Sequence, residues 1–463
     1  MKIAFVSSEV YPFVKTGGLA DVAYALPKAL AGQGHEVAVI LPFYKQIPEG
    51  LVKNRYWVSN VEVHGKTFWN YCVEMEGVKY YLINEPLFSQ RDSIYENDDK
   101  DYQFAMFCEV TLLLLKSIGF QPNIIHCNDW QTGLIPFFMS QRYYWDPFYY
   151  DTKTIYTIHN LRFQGHFRSD SIRSLGYGFD APYVNYMEMG ISYAHKITTF
   201  SETYAHEILT DFYGEGLNHI LSRRYHDLSG IVNGIDVDIF DPSTDPSLEA
   251  SYDLKHFKDK AKNKVALQRR FFMDVDPEVP MIGIVTRLDA QKGLDLISHV
   301  LEDILYHQNV QFFLLGSGEK EYETFFQNLR DRYPNKFGIY LGYNAKLANQ
   351  VYAASDMFLM PSLYEPCGLS QLISLRYGTV PIVRETGGLN DTVHAFNEFD
   401  KTGNGFSFAN YNAHDMKHTV LRALEFYQNR PKDWKKLVKN GMEGDYSWEQ
   451  SAHKYAELYQ KIN

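Results

Sequence analysis

Two cations follow an apolar run in the second half of the chain. Arg287 comes directly after the run Met281–Thr286, and Lys292 lies just before a segment whose apolar residues recur at helical spacing. Two cations beside the start of a helix suit a diphosphate, because the helix terminus and both side chains favour negative charge. The alternative is a pair of exposed cations in surface salt bridges, the usual state of arginine and lysine.

A carboxylate and a row of backbone amides follow another apolar run. The segment Pro361–Gln371 lies between a predicted strand and a predicted helix, so Glu365 and the amides of residues 367–370 are expected at a helix start. A carboxylate there can bind sugar hydroxyls or stabilise positive charge, and free amides can bind phosphate. Glu365 could instead be an ordinary helix-start acid. Cys367 fits a small buried apolar residue better than a reactive one.

The first half carries a lysine and two adjacent glycines between a predicted strand and a predicted helix. Lys15, Gly17 and Gly18 follow the strand Ile3–Ser7 and precede the helix Ala23–Leu30. This strand–loop–helix arrangement, with lysine and glycine in the loop, is typical of phosphate-binding loops, although neither G-x-G-x-x-G nor G-x-x-x-x-G-K-[ST] is present. Which anion the loop meets is left open by the sequence.

Polar residues also end two strands of the first half. His126 to Asp129 close one strand, and His159 with Asn160 closes the next. Polar side chains at the carboxyl ends of parallel strands line the crevice of a doubly wound sheet, although a lone histidine is more often structural. In the second half Tyr343 could stack on a base or merely pack, and residues 386–389 could form a simple tight turn.

Strand-like runs alternate with helix-like segments along most of the chain. The predicted strands are Ile3–Ser7, Glu36–Leu41, Asn123–Cys127, Thr154–Ile158, Lys196–Phe200, Met281–Thr286, Val310–Leu315, Met357–Met360 and Val380–Val383. The predicted helices include Asp101–Ile118 and Thr132–Gln141, and a short antiparallel insertion is predicted around Gly65 and Gly77. The alternation predicts an α/β protein of two Rossmann-like doubly wound domains facing across a deep cleft. The charged segment 255–270 is expected to connect the two halves.

Composition excludes several classes of protein. The chain has 463 residues, with 45 basic and 56 acidic side chains and a formal charge of −11 without a basic tract, which argues against nucleic acid or an anionic membrane as partner. No apolar segment approaches the ~20 residues of a membrane span, and the N-terminal apolar run is too short for a signal peptide. The four cysteines lack C-x-x-C spacing, so neither zinc nor a disulfide framework is indicated. We expect a cytoplasmic protein.

Together these segments resemble one family. KTGGLAD at 15–21, HCNDW at 126–130, TIHN at 157–160, NGID at 233–236, TRL at 286–288 with QKG at 291–293, and EPCGL at 365–369 resemble the bacterial glycogen synthases and plant starch synthases, in register along nearly the whole chain. The resemblance implies the GT-B arrangement of two Rossmann-like domains. It also implies transfer of glucose from ADP-glucose to the end of an α-1,4-glucan with retention of configuration.

The resemblance also implies roles for individual residues. The expected catalytic set is Lys15, His159, Arg287, Lys292 and Glu365. The expected nucleotide-sugar site comprises Lys15, Gly18, Asp21, Asn233, Arg287, Lys292, Tyr343, Cys367, Gly368, Leu369 and Ser370, and the sugar or acceptor side comprises Asp129 and Asn160. The expected domains are 1–235 on the acceptor side, 236–445 on the nucleotide-sugar side, and a C-terminal helix in 446–463 that packs back on the first domain.

The sequence departs from the family pattern at a few positions. Ala20 stands where the family commonly has glycine, Asn128 where histidine is usual, and Ser370 where bacterial relatives often have threonine. The wider retaining group often has a second glutamate eight residues after the first, and here that residue is Ile373. A two-glutamate mechanism is therefore excluded at this motif, and we expect attack by the acceptor on the face that the phosphate leaves.

Several alternatives stay open at this stage. A phosphorylase-like glucan enzyme of the same architecture would carry pyridoxal phosphate, and a glucan-binding protein could keep the fold without activity. A Rossmann oxidoreductase is disfavoured because no G-x-G-x-x-G follows a strand. We expect no cofactor and no metal. The sequence does not decide between ADP-glucose and UDP-glucose, nor whether the chain forms a homo-oligomer.

Overall fold

The computed structural model describes residues 1–462. The chain forms two compact units. The first comprises Met1–Asn233 and the chain from Trp448 onward, and the second comprises Gly234–Ser447. Each unit is built on a parallel α/β plan, which confirms the predicted fold class.

The first unit is built around a sheet with a parallel centre. Within residues 1–462 this sheet has nine strands in the order β11-β10-β7-β6-β1-β2-β5-β4-β3, and β8 pairs with β9 separately. The strands are β1 (Lys2–Val6), β2 (Glu36–Pro42), β3 (Tyr56–Val63), β4 (Lys66–Met75), β5 (Val78–Asn84), β6 (Ile124–Asn128), β7 (Lys153–Thr157), β8 (His166–Arg168), β9 (Tyr183–Asn185), β10 (Lys196–Thr199) and β11 (Leu228–Gly230).

The predicted antiparallel insertion forms one edge of this sheet. Two-residue turns at His64-Gly65 and Glu76-Gly77 join β3, β4 and β5, and all four residues have positive φ. Such turns match the right-handed twist of paired strands, which is why each has glycine at its second position. Because β5 pairs in parallel with β2, the insertion extends the first sheet and makes it mixed.

The helices of the first unit cover the sheet and its connections. They are α1 (Gly18–Gly32), α2 (Pro86–Ser89), α3 (Lys100–Ser117), α4 (Leu134–Phe138), α5 (Asp170–Ser174), α6 (Tyr186–Tyr193), α7 (Glu202–Glu207) and α8 (Asn218–Arg223). The helical stretch predicted for 132–141 is confirmed, but it is not a single α-helix: a 3₁₀ turn at Trp130–Thr132, α4, and a π turn at Met139–Tyr143 occupy this region. Pro136 lies in the first turn of α4, where its missing N–H costs little.

The second unit has a fully parallel sheet. Its order is β14-β13-β12-β15-β16-β17, counted over the part of the chain that the structure describes. The order reverses at β12, so the crevice between the carboxyl ends of β12 and β15 is the topological switch point where doubly wound sheets bind ligands. The strands are β12 (Met281–Val285), β13 (Gln311–Gly316), β14 (Phe337–Leu341), β15 (Met357–Met360), β16 (Val380–Arg384) and β17 (Phe406–Phe408).

The helices of the second unit include one that the sequence does not predict. They are α9 (Lys260–Arg270), α10 (Leu294–His307), α11 (Lys320–Arg332), α12 (Ala345–Ala354), α13 (Ser370–Arg376), α14 (Gly387–Thr392), α15 (Ala413–Asn429) and α16 (Pro431–Met442). The charged connection contains α9, in which Lys260 is buried and donates hydrogen bonds to the Ala353 carbonyl at 2.8 Å and Thr379 Oγ1 at 2.9 Å. Burial lowers the pKa of Lys260 to about 7.

The last helix, α17 (Trp448–Ile462), belongs to the first unit and packs on α1. Tyr459 of α17 lies 2.7 Å from Nδ1 of the buried His126, whose Nε2 lies 2.6 Å from Thr157 Oγ1. His126 therefore ties α17 to the sheet. Within residues 1–462, no helix combines the length and the apolarity that crossing a membrane requires.

Candidate active site

A cavity lies at the switch point of the second sheet. Its volume is about 110 Å³, and its walls come from the ends of β12 and β15 and from the start of α13. The polar and backbone groups that line it belong to Thr286, Lys292, Ser362, Glu365, Gly368, Leu369 and Ser370. The structure thus brings together five of the expected site residues, which are Lys292, Glu365, Gly368, Leu369 and Ser370.

Lys292 and Glu365 both line this cavity and form an ion pair. The Lys292 ammonium lies 2.6 Å from Glu365 Oε2, and both side chains are largely buried. The Ser362 hydroxyl donates to the same oxygen at 3.1 Å. Because α13 begins only at Ser370, Glu365 lies in the preceding loop and not at a helix start, so the interpretation of Glu365 as a helix-start acid is wrong.

Two glycines fix the loop that carries Glu365. A Cβ on Gly387 would lie 2.0 Å from the Glu365 carbonyl oxygen, and a Cβ on Gly388 would lie 1.9 Å from that of Cys367. The Gly388 N–H donates to the Glu365 carbonyl at 2.9 Å. The turn at 386–389 is therefore more than a chain reversal. Because Gly387 and Gly388 have no side chains, the backbone at Glu365 and Cys367 can pack directly against the turn.

Further side chains hold the same loop, and sequence reasoning did not assign them. Arg384 donates through Nη1 to the Leu363 carbonyl at 2.7 Å, and Gln291 donates through Nε2 to the Tyr364 carbonyl at 3.2 Å. Gln291 belongs to the QKG motif at 291–293, but the spacing of that motif does not indicate that the Gln291 side chain reaches a loop more than seventy residues later.

Other expected residues lie outside the lining of this cavity. Arg287 projects into solvent, with Nη2 3.3 Å from Asp289 Oδ2, and Tyr343 is 89% exposed. Cys367 is buried, which agrees with its interpretation as a small apolar residue. The assignment of Arg287, Tyr343 and Cys367 to the nucleotide-sugar site stays a prediction.

In the first unit the glycine-containing loop is held by a carboxylate of the protein. The amides of Thr16 and Gly17 both donate to Glu9 Oε2, the second at 3.2 Å. These two amides are therefore not available to a phosphate, contrary to the expected phosphate-binding loop. The Lys15 ammonium lies 2.7 and 2.8 Å from the carboxylate oxygens of Asp21, and this ion pair is exposed. Gly18 begins α1, and a Cβ there would meet nothing within 4 Å.

The carboxyl ends of β6 and β7 form a second group in the first unit. Asp129 has a φ of 56°, and its Oδ1 accepts from the amides of His159 at 2.7 Å and Asn160 at 3.3 Å. Burial raises the pKa of Asp129 to about 7, although the two backbone hydrogen bonds oppose the shift. His159 Nε2 lies 2.8 Å from Oδ1 of the buried Asn128. Burial lowers the pKa of His159 to about 3, so the ring is neutral at pH 7.

Two further expectations concern Asn233 and metal ions. Asn233 is the last residue of the first unit, and its buried Oδ1 has no hydrogen-bond partner among residues 1–462. An unpaired buried acceptor is costly, which suits a group that binds a ligand. Over the same residues, the structure gathers no group of three or more histidine, cysteine or acidic side chains that could hold a metal ion.

Comparison with known proteins places both units in one enzyme class. Residues 2–223 match the family model described as "Starch synthase catalytic domain", and residues 268–441 match "Glycosyl transferases group 1". Two Rossmann-like units, the second with its cavity at the switch point, are the plan of the GT-B glycosyltransferases, and the chain is an enzyme of this class.

The relatives define the family within that class. The glycogen synthase of Anoxybacillus flavithermus is 46% identical over 476 residues, covering 100% of this chain and 98% of that protein. That of Bacillus cereus is 47% identical over 479 residues with full coverage of both. The catalytic domain of starch synthase IV from Arabidopsis thaliana, bound to ADP and acarbose, superposes with a TM-score of 0.85 at 32% identity and covers 99% of each chain. The chain belongs to the glycogen synthase and starch synthase family.

Proposed function

We propose that the enzyme transfers glucose from ADP-glucose to the non-reducing end of an α-1,4-glucan with retention of configuration. The observation that carries this proposal is the Lys292–Glu365 pair, which lines a cavity at the switch point of a glycosyltransferase unit. The relative bound to ADP and acarbose, with 99% of each chain covered, supports an adenine nucleotide as the leaving group.

In this proposal the diphosphate binds at the end of β12. Lys292 and Arg287 supply positive charge, and the amides of Leu369 and Ser370 donate to phosphate oxygens. Tyr343 stacks on the adenine, which its exposed ring permits without repacking. Lys15 adds a third cation to the departing phosphate, and Asp21 holds its ammonium. Gly18 and Asp21 complete the nucleotide side.

The glucosyl group is proposed to bind beside Glu365. Its carboxylate faces the same cavity as Lys292, so one cavity holds a cation for the phosphate and an anion for the sugar. Asn233 and His159 are proposed to donate to or accept from the glucose hydroxyls. Asp129 and Asn160 are proposed for the sugar or acceptor side.

The proposed chemical step uses only the protein groups assigned above, the donor and the acceptor. The bond between the anomeric carbon and the phosphate oxygen breaks, its electron pair leaves with ADP, and an oxocarbenium-like glucosyl group forms. The acceptor 4-hydroxyl attacks from the face that the phosphate leaves, and its proton passes to that phosphate. Stabilisation of the leaving group by preorganised cations contributes several kcal/mol in sites of this kind. We therefore propose a reaction without metal or other cofactor.

The proposal extends to partner and compartment. A formal charge of −11 supports a neutral glucan as partner and argues against nucleic acid or a membrane. The four buried cysteines form no disulfide among residues 1–462, which supports a reducing compartment such as the cytoplasm.

A donor-competition assay tests this function. Labelled ADP-glucose and UDP-glucose are each incubated with the enzyme and glycogen, and incorporated glucose and released nucleotide are measured. We expect incorporation from ADP-glucose with one ADP released for each glucose transferred. Preference for UDP-glucose would overturn the donor assignment. Release of glucose 1-phosphate from glycogen and phosphate, without dependence on ADP-glucose, would favour the phosphorylase alternative.

A further inference from the structure

A buried carboxylate lies behind the loop that carries Lys15. Glu9 follows β1 and is 3% exposed. Its Oε2 accepts from the amides of Thr16 and Gly17, and its Oε1 accepts from Thr16 Oγ1 at 2.6 Å and from the Tyr95 hydroxyl at 2.5 Å. Four donors therefore converge on this carboxylate, and three of them belong to the two residues that follow Lys15.

The partners of Glu9 are neutral groups. Within residues 1–462, no lysine, arginine or histidine forms a salt bridge with it. A buried carboxylate without a cation is costly unless hydrogen bonds satisfy it, and removing such an acceptor leaves buried donors unpaired. Burial and the Glu9 carboxylate raise the pKa of Tyr95 well above its ordinary value, so its hydroxyl stays a donor. The four hydrogen bonds to Glu9 therefore offset the cost of burying its carboxylate, and three of them also fix the loop that follows Lys15.

The loop that Glu9 fixes controls where Lys15 lies. The peptide between Lys15 and Thr16 carries one of the two amides bound to Oε2, so the Lys15 backbone cannot turn without breaking that bond. On the other side the ammonium of Lys15 is held by Asp21 in the first turn of α1. On the far side of Lys15 the glycines add no packing that could replace Glu9, since a Cβ on Gly17 or Gly18 would meet nothing within 4 Å.

We propose that Glu9 is a positioning residue for glucosyl transfer, acting through Lys15: its carboxylate holds the Lys15–Gly17 peptides so that the ammonium is aimed before the donor arrives. This inference rests on the proposed function, in which Lys15 stabilises the departing phosphate. This role differs from the phosphate binding that the sequence predicts for the loop. The amides of Thr16 and Gly17 bind Glu9 instead of a phosphate, and thereby orient the Lys15 side chain.

The first test compares substitutions of Glu9. Glu9→Leu removes every acceptor, and we expect kcat with ADP-glucose to fall about 10- to 100-fold, because misplacement of a catalytic group by ~1 Å has effects of this size. Glu9→Gln keeps an acceptor for the two amides while the hydroxyls can turn towards its NH₂ group, so it should restore most of the lost kcat. ADP affinity should fall far less than kcat in both variants, because most of the proposed phosphate contacts, those of Arg287, Lys292 and the amides of residues 369 and 370, belong to the other unit.

The matched control is Glu85, another buried carboxylate of the first unit. It is 6% exposed, accepts from the Leu87 amide at 2.6 Å, and pairs with Lys66 at 3.0 Å. Glu85→Leu should cost stability as Glu9→Leu does but leave kcat near that of the wild type at a temperature where both variants are folded. An equal loss of kcat in the two variants would reduce the role of Glu9 to general stability.

A double-mutant cycle with Lys15→Ala separates positioning from structure. If Glu9 acts through Lys15, Glu9→Leu should have no further effect on kcat in the Lys15→Ala background. The inference would be overturned if the fold-losses of kcat in Glu9→Leu and Lys15→Ala multiplied in the double variant. Undiminished kcat in Glu9→Leu alone would also overturn it.

A second variant serves if Glu9→Leu fails to fold. Thr16→Val removes one donor to Oε1 of Glu9, and its smaller loss of kcat must likewise vanish in the Lys15→Ala background. A wild-type enzyme that does not use ADP-glucose would refute the proposed function itself, whereas an active wild type with a multiplicative cycle refutes only the role of Glu9.

Discussion

The ammonium of Lys292 lies 2.6 Å from a carboxylate oxygen of Glu365, although 73 residues separate them in the chain. One residue follows β12 and the other follows β15, and these strands are neighbours at the switch point. The two side chains neutralise each other in a largely buried site, so a change to either alters the electrostatics of the other. The proposed phosphate-binding and sugar-binding groups are thus coupled.

Glu365→Gln should separate catalysis from nucleotide binding. The variant removes the negative charge proposed to stabilise the glucosyl group, so kcat should fall on the order of 10²-fold or more. ADP affinity should be retained or increased, because Lys292 no longer faces a carboxylate. Steady-state kinetics and ADP calorimetry measure the two effects.

The matched control for this variant is Glu385→Gln. Glu385 follows β16 in the same unit, is exposed, and accepts a hydrogen bond from Ser407 at 2.8 Å. It should keep the wild-type kcat. Near-wild-type turnover in Glu365→Gln would remove this carboxylate from the mechanism.

Arg287→Ala and Lys292→Ala should both weaken the binding of ADP and ADP-glucose. A charge-assisted contact to phosphate contributes about 1.5–3 kcal/mol, so each variant should raise the Kd on the order of 10-fold or more. Arg270→Ala is the control, because this exposed arginine of α9 bonds Gln350 away from the cavity. Unchanged ADP affinity in both test variants would place the diphosphate site elsewhere.

Tyr343→Ala should raise KM for the nucleotide sugar with a smaller change in kcat. Base stacking is present in the ground state and the transition state alike, so its loss acts mainly on binding. Because the side chain is 89% exposed, the change should leave the melting temperature nearly unaltered. Tyr343→Phe should behave as the wild type. An unchanged KM in Tyr343→Ala would exclude stacking.

Asp129 gives the first unit a pH dependence of stability with a definite sign. Its pKa is raised from 3.8 to about 7 by burial, so between about pH 4 and pH 7 the native state holds a proton that the unfolded state has released. The free energy of unfolding therefore falls as pH rises through this window. Asp129→Asn removes this contribution and keeps an oxygen acceptor for the amides of His159 and Asn160.

Urea denaturation at several pH values measures this effect as a difference between the two proteins. The stability of Asp129→Asn relative to wild type should increase from pH 4 to pH 7.5 by on the order of 3–4 kcal/mol. The buried histidines His126 and His159 are present in both proteins, so their titration cancels in the difference. A difference that does not change with pH would show that Asp129 is ionised throughout.

The parallel centre of each sheet could be predicted because its strands are buried on both faces. Continuous apolar runs such as Met357–Met360 predict strands whose bounds the structure nearly shares, and alternation with helices requires parallel pairing. The antiparallel edge was also predictable, since its two turns carry glycine where positive φ is needed.

Residues that act through distant partners could not be predicted. Lys260 of α9 is a charged residue in a charged segment, and only the carbonyls of another helix show that it is buried. Glu9 comes three residues after an apolar strand, yet its partners Thr16 and Tyr95 are 7 and 86 residues away. Local spacing carries no information about such pairings, which depend on how the elements pack.

The central claim is that ADP-glucose donates its glucosyl group to a glucan end with retention. Proton NMR of maltoheptaose incubated with the enzyme and ADP-glucose tests it most directly, because the anomeric signal of the new linkage reports both its position and its configuration. We expect α-1,4 signals to grow in equal molar amount with released ADP, and this growth to be lost in Glu365→Gln. A β-linked product, free glucose in place of a longer glucan, or chain growth without ADP release would contradict the account.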